Sequence, residues 1–291
     1  MIGRGRSGAW VAAKSDLPVL LPFEPFERNE DQGRLDGWLK QLGILVIGGL
    51  IAATMIGTAT AGPDEPSIIA TMIKWTPLLA KGFAFNILIS FLSMAIGTVL
   101  GLGLGLLQIS LLLPVRFSSW IVTQFFRNSP WLVLLFYAIF MIPFEFEVYG
   151  MVIPMPDWIK AVIGLALPIM ANVSEIVRGA IRSVPVSQWE AAESLAFTRF
   201  QMIWQIILPQ CIKRMIPPWM NWYAILTMAT PLVSVVGVSE AMTLTGEILA
   251  AEQRADLLIP MYLYLLSWFF IYCYPIAKWT QYMERKYAVR L

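Results

Sequence analysis

Long apolar runs separated by short polar turns make up most of this chain, and within the runs apolar and polar positions do not alternate. About 20 residues at 1.5 Å per residue cross ~30 Å of hydrocarbon, and a helix satisfies its own backbone groups there, whereas a strand barrel needs period-two alternation. The pattern predicts an all-α membrane protein with about six transmembrane helices, at 41–62, 83–107, 119–143, 160–181, 219–241 and 259–278. The third run contains Arg127-Asn128-Ser129-Pro130. It therefore has an alternative reading, an interfacial helix followed by a span that starts near Pro130. The first run lies far from the start and lacks the charged leader of a cleaved signal, so it reads as a retained helix.

One segment between the fourth and fifth spans breaks the apolar regime. Over 184–212, Ser187 and Glu190 have the spacing of a capping box for a helix starting near Gln188, and Thr198 with Gln201 has the spacing of a second. Phe200, Ile203, Trp204, Ile207 and Leu208 recur at helical spacing, an apolar stripe expected to bury against protein. Two short helices joined near Ala196-Phe197 are predicted. The first carries Trp189, Glu190, Ala192, Glu193 and Leu195, with Arg199 just beyond, a mixed surface suited to another protein's groove.

Composition agrees with the pattern: of 291 residues, 58% are hydrophobic and 14% charged, outside the range of soluble domains. The basic residues orient the spans. Lys and Arg favour one set of loops by 15 to 4, which predicts that both termini and the 184–212 loop are cytoplasmic. The tail 1–40 mixes charges and prolines without an apolar period and is expected to be partly disordered; a short C-tail, 282–291, closes the chain.

The chemistry-bearing residues exclude several functions. There is no His, and Cys211 and Cys273 stand apart, so neither a zinc site nor a Cys/His pair is available. No phosphate-cradling glycine-lysine loop is present. Gly97, Gly101 and Gly105 at four-residue spacing, with Gly103, predict close helix packing in lipid. Polar residues in the spans are the candidate solute contacts, since a charge at membrane depth costs ~2.5–3.5 kcal/mol on insertion scales. They are Asn172 and Glu175 on the fourth span and Thr230, Ser234 and Glu240 on the fifth. Arg178, three residues from Glu175, is placed to pair with it on one helix face.

Glu190-Ala191-Ala192, three residues, Ala196, nine residues, then Ile206-Ile207-Leu208-Pro209 resembles the EAA loop of ABC importer permeases. Phe126-Arg127-Asn128-Ser129-Pro130, Glu175-Ile176-Val177-Arg178-Gly179-Ala180-Ile181, Val184-Pro185 with Gln188-Trp189-Glu190, Pro217-Pro218 with Asn221, and Val233-Ser234-Val235-Val236-Gly237 with Glu240 extend the likeness. Over 83–281 the chain is similar to the polar amino acid, histidine-type permeases. The resemblance implies a type I importer permease fold, uptake of polar amino acids across the inner membrane, and a coupling surface at Glu190, Ala191, Ala192, Leu195, Ala196 and Arg199. It implies as partners a cytoplasmic ATPase dimer, a second permease subunit and an extracytoplasmic solute-binding protein. This chain is then not an enzyme and holds no cofactor, ATP and magnesium being used by the ATPase. Three positions depart from the family pattern: Ser187 and Ala196 replace glycines, and Thr227-Met228-Ala229-Thr230-Pro231 lacks a lysine and gains a proline. If the backbone needs φ > 0 at Ala196, roughly 1 kcal/mol of strain is expected. An ion-gradient-driven secondary transporter is the alternative reading; it predicts inverted repeats or proton-relay residues in the spans.

Overall fold

The computed structural model describes residues 48–49 and 66–287. The expected N-terminal tail, most of the expected span at 41–62 and residues 288–291 lie outside the described residues. Among the described residues the chain is mostly helical, with one hairpin. Among the described residues four helices are long and apolar enough to cross a membrane: Ile68–Leu107, Asp157–Arg182, Arg199–Val236 and Ala255–Tyr287.

Helix α1 (Ile68–Leu107) starts fifteen residues before the predicted span, because the Ser67 side chain caps it by accepting from the Ala70 N–H. Helix α2 (Leu113–Asn128) opens with Pro114, whose missing N–H costs nothing in a first turn. Pro130 then holds Ser129 extended, and the chain restarts as α3 (Trp131–Met141). The continuous span at 119–143 is therefore corrected to two helices, with the break at Pro130 that the alternative reading placed there, the second helix too short to cross a bilayer alone. Strands β1 (Glu145–Val148) and β2 (Met151–Pro154) form an antiparallel hairpin that periodicity did not predict.

Helix α4 (Asp157–Arg182) is the centre of the fold, with both ends close to those predicted and most of its length buried. It runs parallel to α1. A Cβ on Gly97, Gly101 or Gly105 would lie 2.6 to 2.8 Å from atoms of Ile169, Met170, Val173, Ser174 or Val177. The glycine row is thus the groove that receives the Ile169, Val173 and Val177 ridge of α4. Gly103 faces open space and takes no part. Around this contact Ile89, Leu135, Leu165, Leu226 and Val233 complete the main core.

A short helix, α5 (Val186–Ser194), leads into α6 (Arg199–Val236). Within α6 the turns Met202–Ile207 widen to a π-helix just before Pro209, which has no N–H for the carbonyl four residues back. The α-helical part runs from Leu208 to Ala229, then tightens to a 3-10 segment, Thr230–Val236, at Pro231, and stops at Gly237 with φ 87°. The predicted fifth span, 219–241, is corrected on both sides. The second helix of the polar loop is not a separate short one but the beginning of α6, and the far end departs into α7 (Ala241–Glu252), which was not predicted. Helix α8 (Leu258–Tyr287) contains the predicted last span and packs on α6, where the Tyr223 and Tyr272 hydroxyls share a hydrogen bond of 2.7 Å.

Candidate functional site

The polar loop folds into an elbow. Its first capping box does not form: Pro185 occupies the N-cap of α5, Ser187 lies inside the helix, and no side chain caps the start. The second forms as expected, with Thr198 and Gln201 bonding reciprocally. Between them, Ala196 N–H donates to the Glu193 carbonyl at 2.9 Å and Phe197 N–H to the Ala192 carbonyl at 3.2 Å. These are the two bonds of a Schellman stop, and they place Ala196 at φ 57°. The strain expected at this alanine is present.

Of the named elbow residues, Ala192 is buried, while Glu190, Ala191, Leu195 and Ala196 are exposed and Arg199 is half-buried. The Arg199 guanidinium lies 4.4 Å from the Trp189 ring centroid and joins the two arms of the elbow. The apolar stripe is corrected in part: Ile207 is buried, but Phe200 is 69% and Trp204 48% exposed, their rings 5.8 Å apart. With Val186 and Leu195, also exposed, they give the elbow an apolar surface with Glu190 and Glu193 beside it.

The predicted intramembrane polar residues separate into two groups. Asn172 and Glu175 line a cavity of about 440 Å³ with Arg127, Ser183, Arg214 and Trp222. The Glu175 carboxylate accepts from Arg178 on its own helix, as its spacing predicted, and Arg127 Nη1 of α2 lies 3.7 Å away. Asn172 Nδ2 donates to the Pro168 carbonyl at 2.8 Å. Opposite them Arg214 donates to the Ser183 carbonyl at 2.8 Å and hydroxyl at 2.6 Å, and Trp222 stacks near Trp131. The cavity therefore presents one carboxylate and two guanidinium groups within an apolar surround.

Thr230, Ser234 and Glu240 are elsewhere. The Ser234 hydroxyl donates to the Pro231 carbonyl of its own turn. Glu240 is not on a span: it is the N-cap of α7 and fully buried. Its carboxylate accepts from Met242 N–H at 2.9 Å, Thr243 N–H at 3.2 Å and Asn86 Nδ2 at 2.8 Å. Asn86 also donates to Thr230 Oγ1 at 3.0 Å and accepts from Ala241 N–H at 3.1 Å. One α1 side chain thus ties the 3-10 end of α6 to the start of α7. Sequence reasoning missed Asn86, Arg127 and Arg214. Asn86 carried the available signal, a polar amide inside an apolar run.

Comparison with known proteins gives one consistent result. The family model described as binding-protein-dependent transport system inner membrane component matches residues 97–286. The chain is 34% identical over 216 residues to the probable amino-acid ABC transporter permease protein YckA of Bacillus subtilis, covering 74% of this chain and 92% of that one. It is 30% identical over 227 residues to the L-cystine transport system permease protein TcyB of the same organism, covering 78% and 93%. Among solved structures, one described as an amino acid ABC transporter with histidines superposes with a TM-score of 0.64 at 27% identity, covering 75% of this chain and 97% of that one. The inward-facing MetNI methionine ABC transporter shares the fold, with a TM-score of 0.58 at 17% identity, covering 73% and 97%.

Proposed function

The chain belongs to the family of binding-protein-dependent transport system inner membrane components, as an amino-acid ABC transporter permease with the type I fold, and from that premise we propose how it works. It is the membrane-spanning subunit of an ATP-driven importer, taking polar amino acids or related small solutes across the inner membrane with both termini cytoplasmic. Its partners are a cytoplasmic ATPase dimer, a second permease subunit and an extracytoplasmic solute-binding protein; ATP and magnesium belong to the ATPase.

The observation that carries this reading is the elbow itself. Glu190, Glu193, Leu195 and Phe200 are exposed, whereas Ala192 is buried and Arg199 bridges the arms through Trp189. Because α6 continues from the elbow without a break, a push on the elbow moves a spanning helix as a rigid body. The Asn172 and Glu175 cavity supports the solute class. A zwitterion's carboxylate pairs with Arg127 or Arg214, and its ammonium with Glu175.

The test is reconstitution with the ATPase and binding protein in vesicles. Glu190→Lys should insert and fold yet hydrolyse ATP without uptake, since the Glu190 side chain is exposed. Normal coupled uptake by this variant rejects the coupling role, and uptake by the isolated chain on an ion gradient would favour a secondary transporter.

A further inference from the structure

A second cavity, of about 370 Å³, lies where α1 turns into α2 and α4 ends. Three guanidinium groups line it: Arg116 from the first turn of α2, and Arg178 and Arg182 from the last turns of α4. Arg178 is engaged on one side by Glu175. Arg116 and Arg182 are exposed, and among the described residues no carboxylate pairs with them. Leu113, the first residue of α2, is also in the wall. No side chain caps this sixteen-residue helix, so the positive end of its dipole adds to the field of the arginines. Gln108 forms another part of the wall, anchored by bonds from its amide nitrogen to Thr123 Oγ1 at 2.8 Å and Ser174 Oγ at 3.1 Å. Its buried Oε1 has no partner.

The rim differs in character. Leu113, Phe117 and Trp120 line it and are exposed, and the Phe117 and Trp120 rings stack at 6.2 Å. A soluble anion has no use for this apolar border. A phospholipid does, because its phosphate and its acyl chains need a basic pocket and an adjoining apolar face at one depth. Basic pockets between spanning helices, edged by aromatic residues, hold anionic headgroups for this reason.

We propose that this cavity binds the phosphodiester headgroup of an anionic phospholipid, with Arg116, Arg182 and the α2 N-terminus on the phosphate and the acyl chains along Leu113, Phe117 and Trp120. Arg178 connects the headgroup site to Glu175, so lipid occupancy also touches the neighbouring solute cavity.

Native mass spectrometry of the full chain in mild detergent tests this, with dioleoylphosphatidylglycerol, dioleoylphosphatidylcholine and soluble glycerol phosphate as probes. The wild-type chain should retain phosphatidylglycerol in preference to phosphatidylcholine, and glycerol phosphate at the same concentration should not displace it. Arg116→Gln with Arg182→Gln should lower that retention roughly tenfold. Arg116→Gln alone, at an exposed position, should lower it severalfold with an unchanged melting temperature. Arg285→Gln with Lys286→Gln, at the end of α8, should leave it unchanged. Equal retention of the two lipids, or wild-type retention by the double variant, overturns the proposal. Full displacement by glycerol phosphate also overturns it, assigning the arginines to a soluble phosphate.

Discussion

Replacing Ala196 by glycine should stabilise the elbow. Two hydrogen bonds from the Ala196 and Phe197 amides close the α5 helix and hold Ala196 at φ 57°, where a Cβ crowds the following carbonyl. For an L-residue this conformation costs about 1–2 kcal/mol. Glycine removes that cost but gives up about 0.5–1 kcal/mol through its larger backbone entropy when unfolded. The difference favours Ala196→Gly by about 0.5–1 kcal/mol, equivalent to opening the turn roughly two- to fivefold less often. Hydrogen exchange over residues 190–200 reads this opening directly, because the two bonded amides exchange only when the Schellman stop comes apart. Ala196→Val should act in the opposite sense, since a β-branched side chain at positive φ is a true outlier. Exchange in Ala196→Gly as fast as in the wild type, or faster, refutes the reasoning and shows that the left-handed residue is not what limits this turn.

Four further outcomes follow from the contacts described. Glu175→Gln removes the carboxylate charge proposed to hold the solute's ammonium, a charge-assisted hydrogen bond worth about 1.5–3 kcal/mol, so uptake affinity for a zwitterionic amino acid should fall about tenfold or more; unchanged affinity and rate exclude Glu175 from solute contact. Glu240→Ala leaves the Asn86 amide and two backbone N–H groups without their buried acceptor, each costing about 1–3 kcal/mol, and should lower the melting temperature well below that of Glu240→Gln. Gly101→Ala forces a Cβ to 2.7 Å from the Met170 carbonyl and Val173 Cβ and should cost about 1–3 kcal/mol, whereas Gly103→Ala, facing open space, should be neutral or slightly stabilising in the same melting assay. Glu252, at the end of α7, has its carboxyl held below the usual range, chiefly by hydrogen bonds from Lys74 and Trp75. Its contribution is therefore present above the ordinary carboxylate range and disappears as pH falls through the lowered value, so Glu252→Gln should flatten the acid limb of stability against pH.

Local chemistry made much of the molecule readable. The α4 boundaries, the Thr198 and Gln201 box, the glycine row and the Glu175–Arg178 pair each depend on residues within a turn or two of one another, and spacing alone specifies them. The same local rules failed where two of them competed. Ser187 has capping-box spacing, but Pro185 starts the helix sooner and leaves Ser187 inside it. Apolar periodicity implied burial for Phe200 and Trp204, yet periodicity records only that residues share a face, not whether anything covers it.

Residue order and composition therefore settled the helical, bilayer-compatible class of this chain and the family to which its motifs point, because hydropathy and helical spacing act over tens of residues at most. Contacts between helices distant in sequence were invisible to them. Asn86 meets Glu240 and Thr230 only because α1 passes the end of α6, and Arg127 reaches Glu175 only because Pro130 breaks α2 from α3 beside α4. Packing of the helices chose those partners, and with them it separated the polar residues that face a cavity from those that only hold the fold together.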